Sequence, residues 1–247
     1  MKYLKYIIVV FFFSCDTESG SDCFKKAGTI ISNDYALADF SRVVFHENIE
    51  LEIRQGSENS IQISYGKNLI ENISTSIVEN QLIINNTTRC NLARNYRPAK
   101  IILMAVTISE IRNASQFKVF SNETIKFNSL TLISEDFLVE TTNVGDFDLI
   151  VENQDLNIIS NNVSNFNMSG ATNNLFINFA SGQGKFEGEN LIVQNIDIFH
   201  RGTNKMIVSP IQQITGEIRS SGNVIAISRP PLVDVEEFYT GKLIFRN

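Results

Sequence analysis

Tryptophan is absent from these 247 residues, proline occurs four times, cysteine three times and histidine twice. With only 13 glycines beside the four prolines, a collagen-like or low-complexity chain is excluded. Positive charge is scarce too. The formal charge is -6, and without residues 1–14, which hold Lys2 and Lys5, 19 basic residues face 27 acidic ones. A mildly acidic surface with no basic cluster argues against nucleic acid as a partner. No Gly-x-Ser-x-Gly, HExxH, P-loop or dinucleotide fingerprint occurs. His46 and His200 stand in different halves, neither beside a nucleophile motif, and with the cysteines they show no metal-ligand spacing. The chain reads as a non-enzyme with no cofactor and no metal. His200, in Phe199-His200-Arg201-Gly202, reads as an exposed turn histidine.

Long apolar runs are also missing. Only residues 6–13 (YIIVVFFF) are continuously apolar, preceded by Lys2 and Lys5. That run is too short for a helix to cross ~30 Å of hydrocarbon and fits the core of a secretory signal peptide. Ser14-Cys15 resembles the lipobox of bacterial lipoproteins, with Phe12 and Phe13 where Leu and a small residue are commoner. The resemblance implies cleavage before Cys15, thioether lipidation of its sulfur and acylation of the new amino terminus. Several acyl chains hold a protein to a membrane where one does not. A plain secreted protein is the alternative. Residues 16–22 (DTESGSD) are polar and acidic, as a flexible tether requires. If Cys15 carries lipid, Cys23 and Cys90 remain, either as a disulfide in an oxidising compartment or as two buried thiols. Such a bond closes a long loop, for which chain entropy suggests roughly 4 kcal/mol.

From residue 28 onward the chain alternates. Ile49, Leu51 and Ile53 form one stripe, Ile61 and Ile63 another, then Leu82 and Ile84, then Ile101, Leu103 and Ala105. Period-two alternation between turn signals (Gln55-Gly56-Ser57, Tyr65-Gly66-Lys67, Glu79-Asn80) predicts half-buried strands. Helical turns are expected only at residues 68–73 and 35–40. The second half repeats. Asn122, Asn143, Asn162, Gly182, Gly202, Gly222 and Gly241 are spaced by 21, 19, 20, 20, 20 and 19 residues. Asn and Gly best tolerate positive φ. Each is followed by a large apolar residue: Ile125, Phe147, Phe166, Phe186, Met206, Ile225 and Ile244. A second rank comprises Leu138, Ile158, Ile177, Ile198, Ile218 and Phe238. Two apolar ranks and a turn per ~20 residues describe one coil of a stacked solenoid. The alternative is a β-sandwich whose turns recur at half that interval.

The expected fold is all-β: a right-handed β-helix-like solenoid with ~20-residue coils, preceded by a β-rich N-terminal part. Residues 1–14 are the signal peptide, 15–27 the lipidated tether, 28–112 the N-terminal β region and 113–247 the solenoid. Asn at equivalent turns can ladder its amides from coil to coil, and Arg229-Pro230-Pro231 is read as an edge feature.

An ordered series of segments then resembles a family of exported Bacteroidetes proteins, the putative autotransporter adhesins with a head GIN domain. It runs from Phe40-x-x-Val43 through residues 48–56 (NIELEIRQG), Ile61-x-Ile63, Asn68-Leu69-Ile70 and Asn80-x-Leu82-x-Ile84 to the glycine turns at 182, 222 and 241. Residues 22–28 and 89–92 resemble cysteine-bearing stretches of flavobacterial members, which favours pairing Cys23 with Cys90. The resemblance implies a solenoid-like, non-catalytic lipoprotein of the cell envelope. Its expected place is the outer membrane, facing the periplasm or the cell surface, and self-association is possible on such a body. Partners would be the membrane through Cys15 and an envelope protein or glycan. The candidate surface site is carboxylate: Asp146 and Asp148 flank Phe147, and Glu187 and Glu189 follow Phe186, so each pair shares a strand face. These four define the alternative, a carbohydrate-processing or calcium-dependent polysaccharide-binding β-helix protein. Tyr96 and Tyr239 are the best exposed aromatic candidates for sugar stacking.

Mass spectrometry of the mature chain tests both cysteine assignments. Peptides should begin at an acylated Cys15 and include a Cys23–Cys90 cross-link before reduction, and Cys15→Ser should leave the detergent phase. Unchanged partitioning of that variant, or two alkylatable thiols in fresh protein, overturns the respective assignment.

Overall fold

The computed structural model describes residues 25–88, 97–135 and 143–246. Cys15, Cys23, Cys90, Tyr96 and Leu138 lie outside the described residues. Among those described, seventeen strands join in one curled sheet, and the helical content is a single 3-10 turn at Ile70–Asn72. That turn falls in the expected segment 68–73. Residues 35–40 form none, because Tyr35 and Ala36 end a strand instead.

The sheet is two ladders of mostly parallel strands. In the first, β2 (Arg42–Phe45) lies between β6 (Gln81–Asn86) and β8 (Glu110–Asn113). Then come β10 (Ser129–Ser134) and the second halves of β11 (Phe147–Ser160), β12 (Asn165–Phe179), β13 (Lys185–His200) and β14 (Met206–Ile218), ending at β16 (Leu232–Glu237). In the second, β7 (Ala99–Ala105) is followed by β3 (Ile49–Gln55) and β9 (Val119–Phe120). The first halves of β11 to β14 continue it to β15 (Val224–Ala226) and β17 (Leu243–Phe245). The N-terminal end closes with antiparallel strands. There β5 (Ile73–Val78) lies on β6 through a tight turn in which Glu79 and Asn80 both have positive φ, and β4 (Ser60–Gly66) joins β7 to β1 (Ile30–Ala36).

Parallel pairing in register makes columns. Phe147, Phe166, Phe186 and Met206 lie one on the next, all fully buried. Phe147 and Phe166 stack with ring centroids 4.6 Å apart and planes 10° apart. Ile158, Ile177 and Ile198 form a second buried column. Every apolar stripe read in the N-terminal part is buried as well. One hydrophobic core runs from Phe40 to Ala226, and β8 crosses residue 112.

Several positions depart from the constant interval. Val224 and Leu243, not Ile225 and Ile244, continue the phenylalanine column. The interval there is shorter than in the preceding repeats, and a one-residue slip turns the opposite face inward. Ile218 pairs with His200 rather than Ile198, and Phe238 is 50% exposed. Val119, not Ile125, precedes Phe147, because the repeat between them is longer than the rest. Ile125 is still buried and bridges to Val151.

The corners align, though positive φ is only part of the reason. Gly182 has φ 90, whereas Asn143, Asn162, Gly202, Gly222 and Gly241 do not share that conformation. Asn162 instead turns the chain through its side chain: Oδ1 accepts from Ser164 N (3.0 Å) and Nδ2 donates to Asn143 O and to Ser134 Oγ (3.0 Å). Asn113 does the same with Ser115 N at 2.9 Å. This is the local Asn turn that replaces a backbone hydrogen bond. At Gly222 the need is space, since a Cβ would sit 2.2 Å from Asn204 O and 2.3 Å from His200 Nε2.

His200 is therefore not an exposed turn residue. It is fully buried, in register with Phe179, and meets that ring edge-on at 6.1 Å. Its Nε2 pairs with Asn204 O at 2.8 Å, and Nδ1 has no partner. At the far end of the sheet, among the described residues, β16 and β17 pair on one side only, and they expose Leu232 and Ile244. Arg219 covers the Phe238 ring at 4.1 Å and Arg229 the Phe245 ring at 4.7 Å.

Two measurements follow. Phe166→Ala should cost about 3–5 kcal/mol in denaturant unfolding, while Asn167→Ser, one position away on the exposed face, should cost about 0.5 kcal/mol. Equal losses would contradict the column. Burial pushes the His200 imidazole below its ordinary range, against the opposing effect of the Asn204 hydrogen bond. The unfolded chain then binds the proton better, so stability is full above about pH 6.5 and falls below it. His46, lowered by burial against Glu47, acts in the same direction. Melting curves from about pH 7.5 to 5.5 should fall less steeply in His200→Gln, which keeps a neutral donor for Asn204. An unchanged slope would remove His200 from the acid response.

Candidate functional site

The outward face of the long strands carries the polar chemistry. The register that stacks phenylalanines inside also stacks side chains outside, about 4.8 Å apart from rung to rung. Asp146, Asp148, Glu187 and Glu189 are all exposed, as the alternation predicts. The structure does not bring the two pairs together. Asn167 lies between Asp148 and Glu187, and its Nδ2 donates to Asp148 Oδ1 at 3.0 Å. Asn165 caps Asp146 with backbone N (2.8 Å) and Nδ2 (3.0 Å), and Lys185 follows on the next rung. Glu189 lies within the register shift of β12 and β13 and pairs with Arg246 at 2.9 Å. The rows therefore read acid, amide, acid and acid, amide, base. Among the described residues, no group of three or more His, Cys, Asp or Glu side chains is placed to hold a metal ion.

A longer row lies on the other ladder. Asp155, Asn174, Asn195 and Gln213 stand on successive rungs. Asn174 Nδ2 donates to Asp155 Oδ1 (2.8 Å) and Asn195 Nδ2 to Asn174 Oδ1 (3.0 Å). Two residues further along the same face run Asn157, Phe176, Asp197 and Thr215. These rows border a shallow groove of about 180 Å³ with Phe176 half-buried in it. Sequence reading passed over these residues because it sought paired carboxylates. The signal was present: each row repeats at the interval of the inward columns. Tyr239 is 66% exposed, but it lies at the open end, away from either row.

What the arrangement offers is hydrogen bonding at regular intervals along the stack. Each amide in a ladder keeps unused donors and lone pairs. His200 is engaged by a backbone carbonyl inside the core, so it faces no outward group.

Comparison with known proteins agrees with this architecture. Residues 39–230 match the protein family described as "Putative auto-transporter adhesin, head GIN domain". A putative adhesin from Bacteroides fragilis has a similar structure at 17% identity and TM-score 0.79, covering 90% of this chain and 100% of that one. A putative lipid binding protein from Parabacteroides distasonis matches at 14% identity and TM-score 0.62, covering 89% and 100%. A putative adhesin from Parabacteroides merdae matches at 17% identity and TM-score 0.55, covering 91% and 99%. At such identities these structures establish a shared fold. No curated protein matches the chain.

Proposed function

The chain belongs to the head GIN domain family of putative auto-transporter adhesins, and from that premise we propose that it is a cell-envelope lipoprotein with a non-catalytic, adhesin-like binding role. The observation that carries this reading is the set of outward rows in register, Asp148–Asn167–Glu187 and Asp155–Asn174–Asn195–Gln213. A surface of repeated amides and carboxylates on a rigid sheet binds through many weak, regularly spaced contacts. The alternative, a polysaccharide-processing or calcium-dependent site at Asp146, Asp148, Glu187 and Glu189, loses support from the amides that separate the two pairs and from the Arg246 that holds Glu189.

In this reading Cys15 carries the lipid and residues 15–27 form the tether. A Cys23–Cys90 disulfide then ties the tether to the body. The anchor lies in the outer membrane, with the body facing the periplasm or the cell surface. The body is a right-handed β-helix-like solenoid with coils of ~20 residues. Like-on-like parallel pairing supports that form, and parallel crossovers of L-residues favour the right hand. The partner is an envelope glycan or protein.

A binding isotherm tests the role. The full chain, labelled and held in mild detergent, should bind saturably to envelopes from cells deleted for it. Asn167→Lys with Asn174→Lys, which places charge on both rows, should weaken that binding while circular dichroism stays unchanged. Absence of saturable binding, or indifference to the double variant, overturns it. Protease treatment of whole cells distinguishes a surface body, which is digested, from a periplasmic one, which is spared.

A further inference from the structure

We propose that the groove around Phe176 is a binding site for a neutral oligosaccharide, laid along the direction in which the strands stack. This rests on the non-catalytic binding role above and names its ligand class. The groove has two chemically distinct sides. One is the amide row from Asp155 to Gln213, whose members use part of their hydrogen-bonding capacity on each other and leave the rest outward. Such side-by-side donors and acceptors, repeated about every 4.8 Å, match the vicinal hydroxyls of successive sugar rings. The other is Phe176 between Asn157 and Asp197, an aromatic face for the apolar C–H side of a pyranose.

Other ligands fit less well. Both strands flanking β12 pair with it along this stretch, so its backbone is satisfied and an extended peptide has no edge to join. No basic side chain lines the Phe176 groove, and Lys126 in the groove beside it is paired with Glu152 at 2.7 Å, which disfavours phosphate or an acidic polysaccharide. Asp155 and Asp197 are two rungs and two residues apart, about 12 Å. One calcium ion reaches ligands only at about 2.3–2.6 Å, and paired glycosidase carboxylates stand about 5–9.5 Å apart. The two acids therefore accept hydroxyl protons in hydrogen bonds and do not cleave.

A second observation extends the site. Around the bend of the long strands a groove of about 380 Å³ is lined by Lys126, Asn128, Glu152, Asn153, Gln154 and Asn173. Gln154 and Asn173 are the chain neighbours of Asp155 and Asn174, so the two grooves adjoin. The Asn153 side chain borders this groove, with its amide nitrogen and oxygen turned inward and buried. The combined length exceeds what one sugar ring covers, so affinity should rise with chain length.

The test uses the full chain in mild detergent against cello-, malto- and manno-oligosaccharides from disaccharide to hexasaccharide. Polygalacturonate and heparin serve as acidic probes, and calorimetry is run at millimolar sugar. The expected result is binding of a neutral series that tightens with length. Phe176→Ala should weaken it about tenfold and Phe176→Tyr should restore it. Asn195→Ala should weaken it without moving the melting temperature, and Glu58→Gln, in an exposed bend outside both rows and both grooves, should leave it unchanged. The proposal is overturned if no neutral series binds, if only acidic probes bind, or if binding ignores Phe176 and Asn195. Wild-type protein that binds envelopes but no neutral sugar sinks the sugar site and leaves the adhesin-like role standing, whereas correctly folded wild-type protein that binds neither defeats both.

Discussion

Register is the constraint on which everything else here depends. When parallel strands pair residue for residue, each side chain is confronted with its own equivalent one rung away. An inward position is then apolar in most repeats, or polar with an internal partner as Ser134 is, and an outward position must tolerate a polar neighbour of its own kind. Phe147 on Phe166 and Ile158 on Ile177 are the inward result, and Asp155 with Asn174 and Asn195 the outward one. An odd member is felt by the whole column. His200 stands between Phe179 and Ile218 in a buried column, and its burial, its unpartnered Nδ1 and the glycine required at 222 all follow from that place.

Much of this was legible in the chain itself. The alternating stripes Ile49–Leu51–Ile53 and Ile101–Leu103–Ala105 announced which residues go inward, and spacing announced the columns from Phe147 to Met206. Neighbour order was not legible. Periodicity says which face of a strand is apolar and nothing about which strand lies beside it, so the placement of β2 between β6 and β8 had no signature. Neither did the slip that turns Val224 inward, since a difference of one residue leaves the composition of the segment intact. The corners were located by Asn and Gly, but only Gly182 uses positive φ, while Asn162 turns the chain with its amide.

The candidate site shows the same division. Alternation correctly placed Asp146, Asp148, Glu187 and Glu189 outside. It could not reveal that Asn165 and Asn167 stand between the pairs, because that depends on the pairing of β12 with both neighbours. Once register is known, the row that matters is the one with amides on three of its four rungs, and Phe176 becomes notable as an aromatic ring beside it.

The open end has a bearing on size. Among the described residues β16 and β17 pair on one side only, and each preceding rung pairs on both sides in the same way. Length in such an architecture comes in whole units. A duplicated segment of one full repeat restores every column, whereas half a repeat would set apolar residues against polar ones throughout the remainder. Extra residues of other numbers are accommodated at corners, as in the longer interval between Val119 and Phe147, or at bulges inside the ladder, as where β13 carries one more residue than β12 beside Asn167–Ser169. The protein is thus free to vary in reach while its cross-section stays fixed.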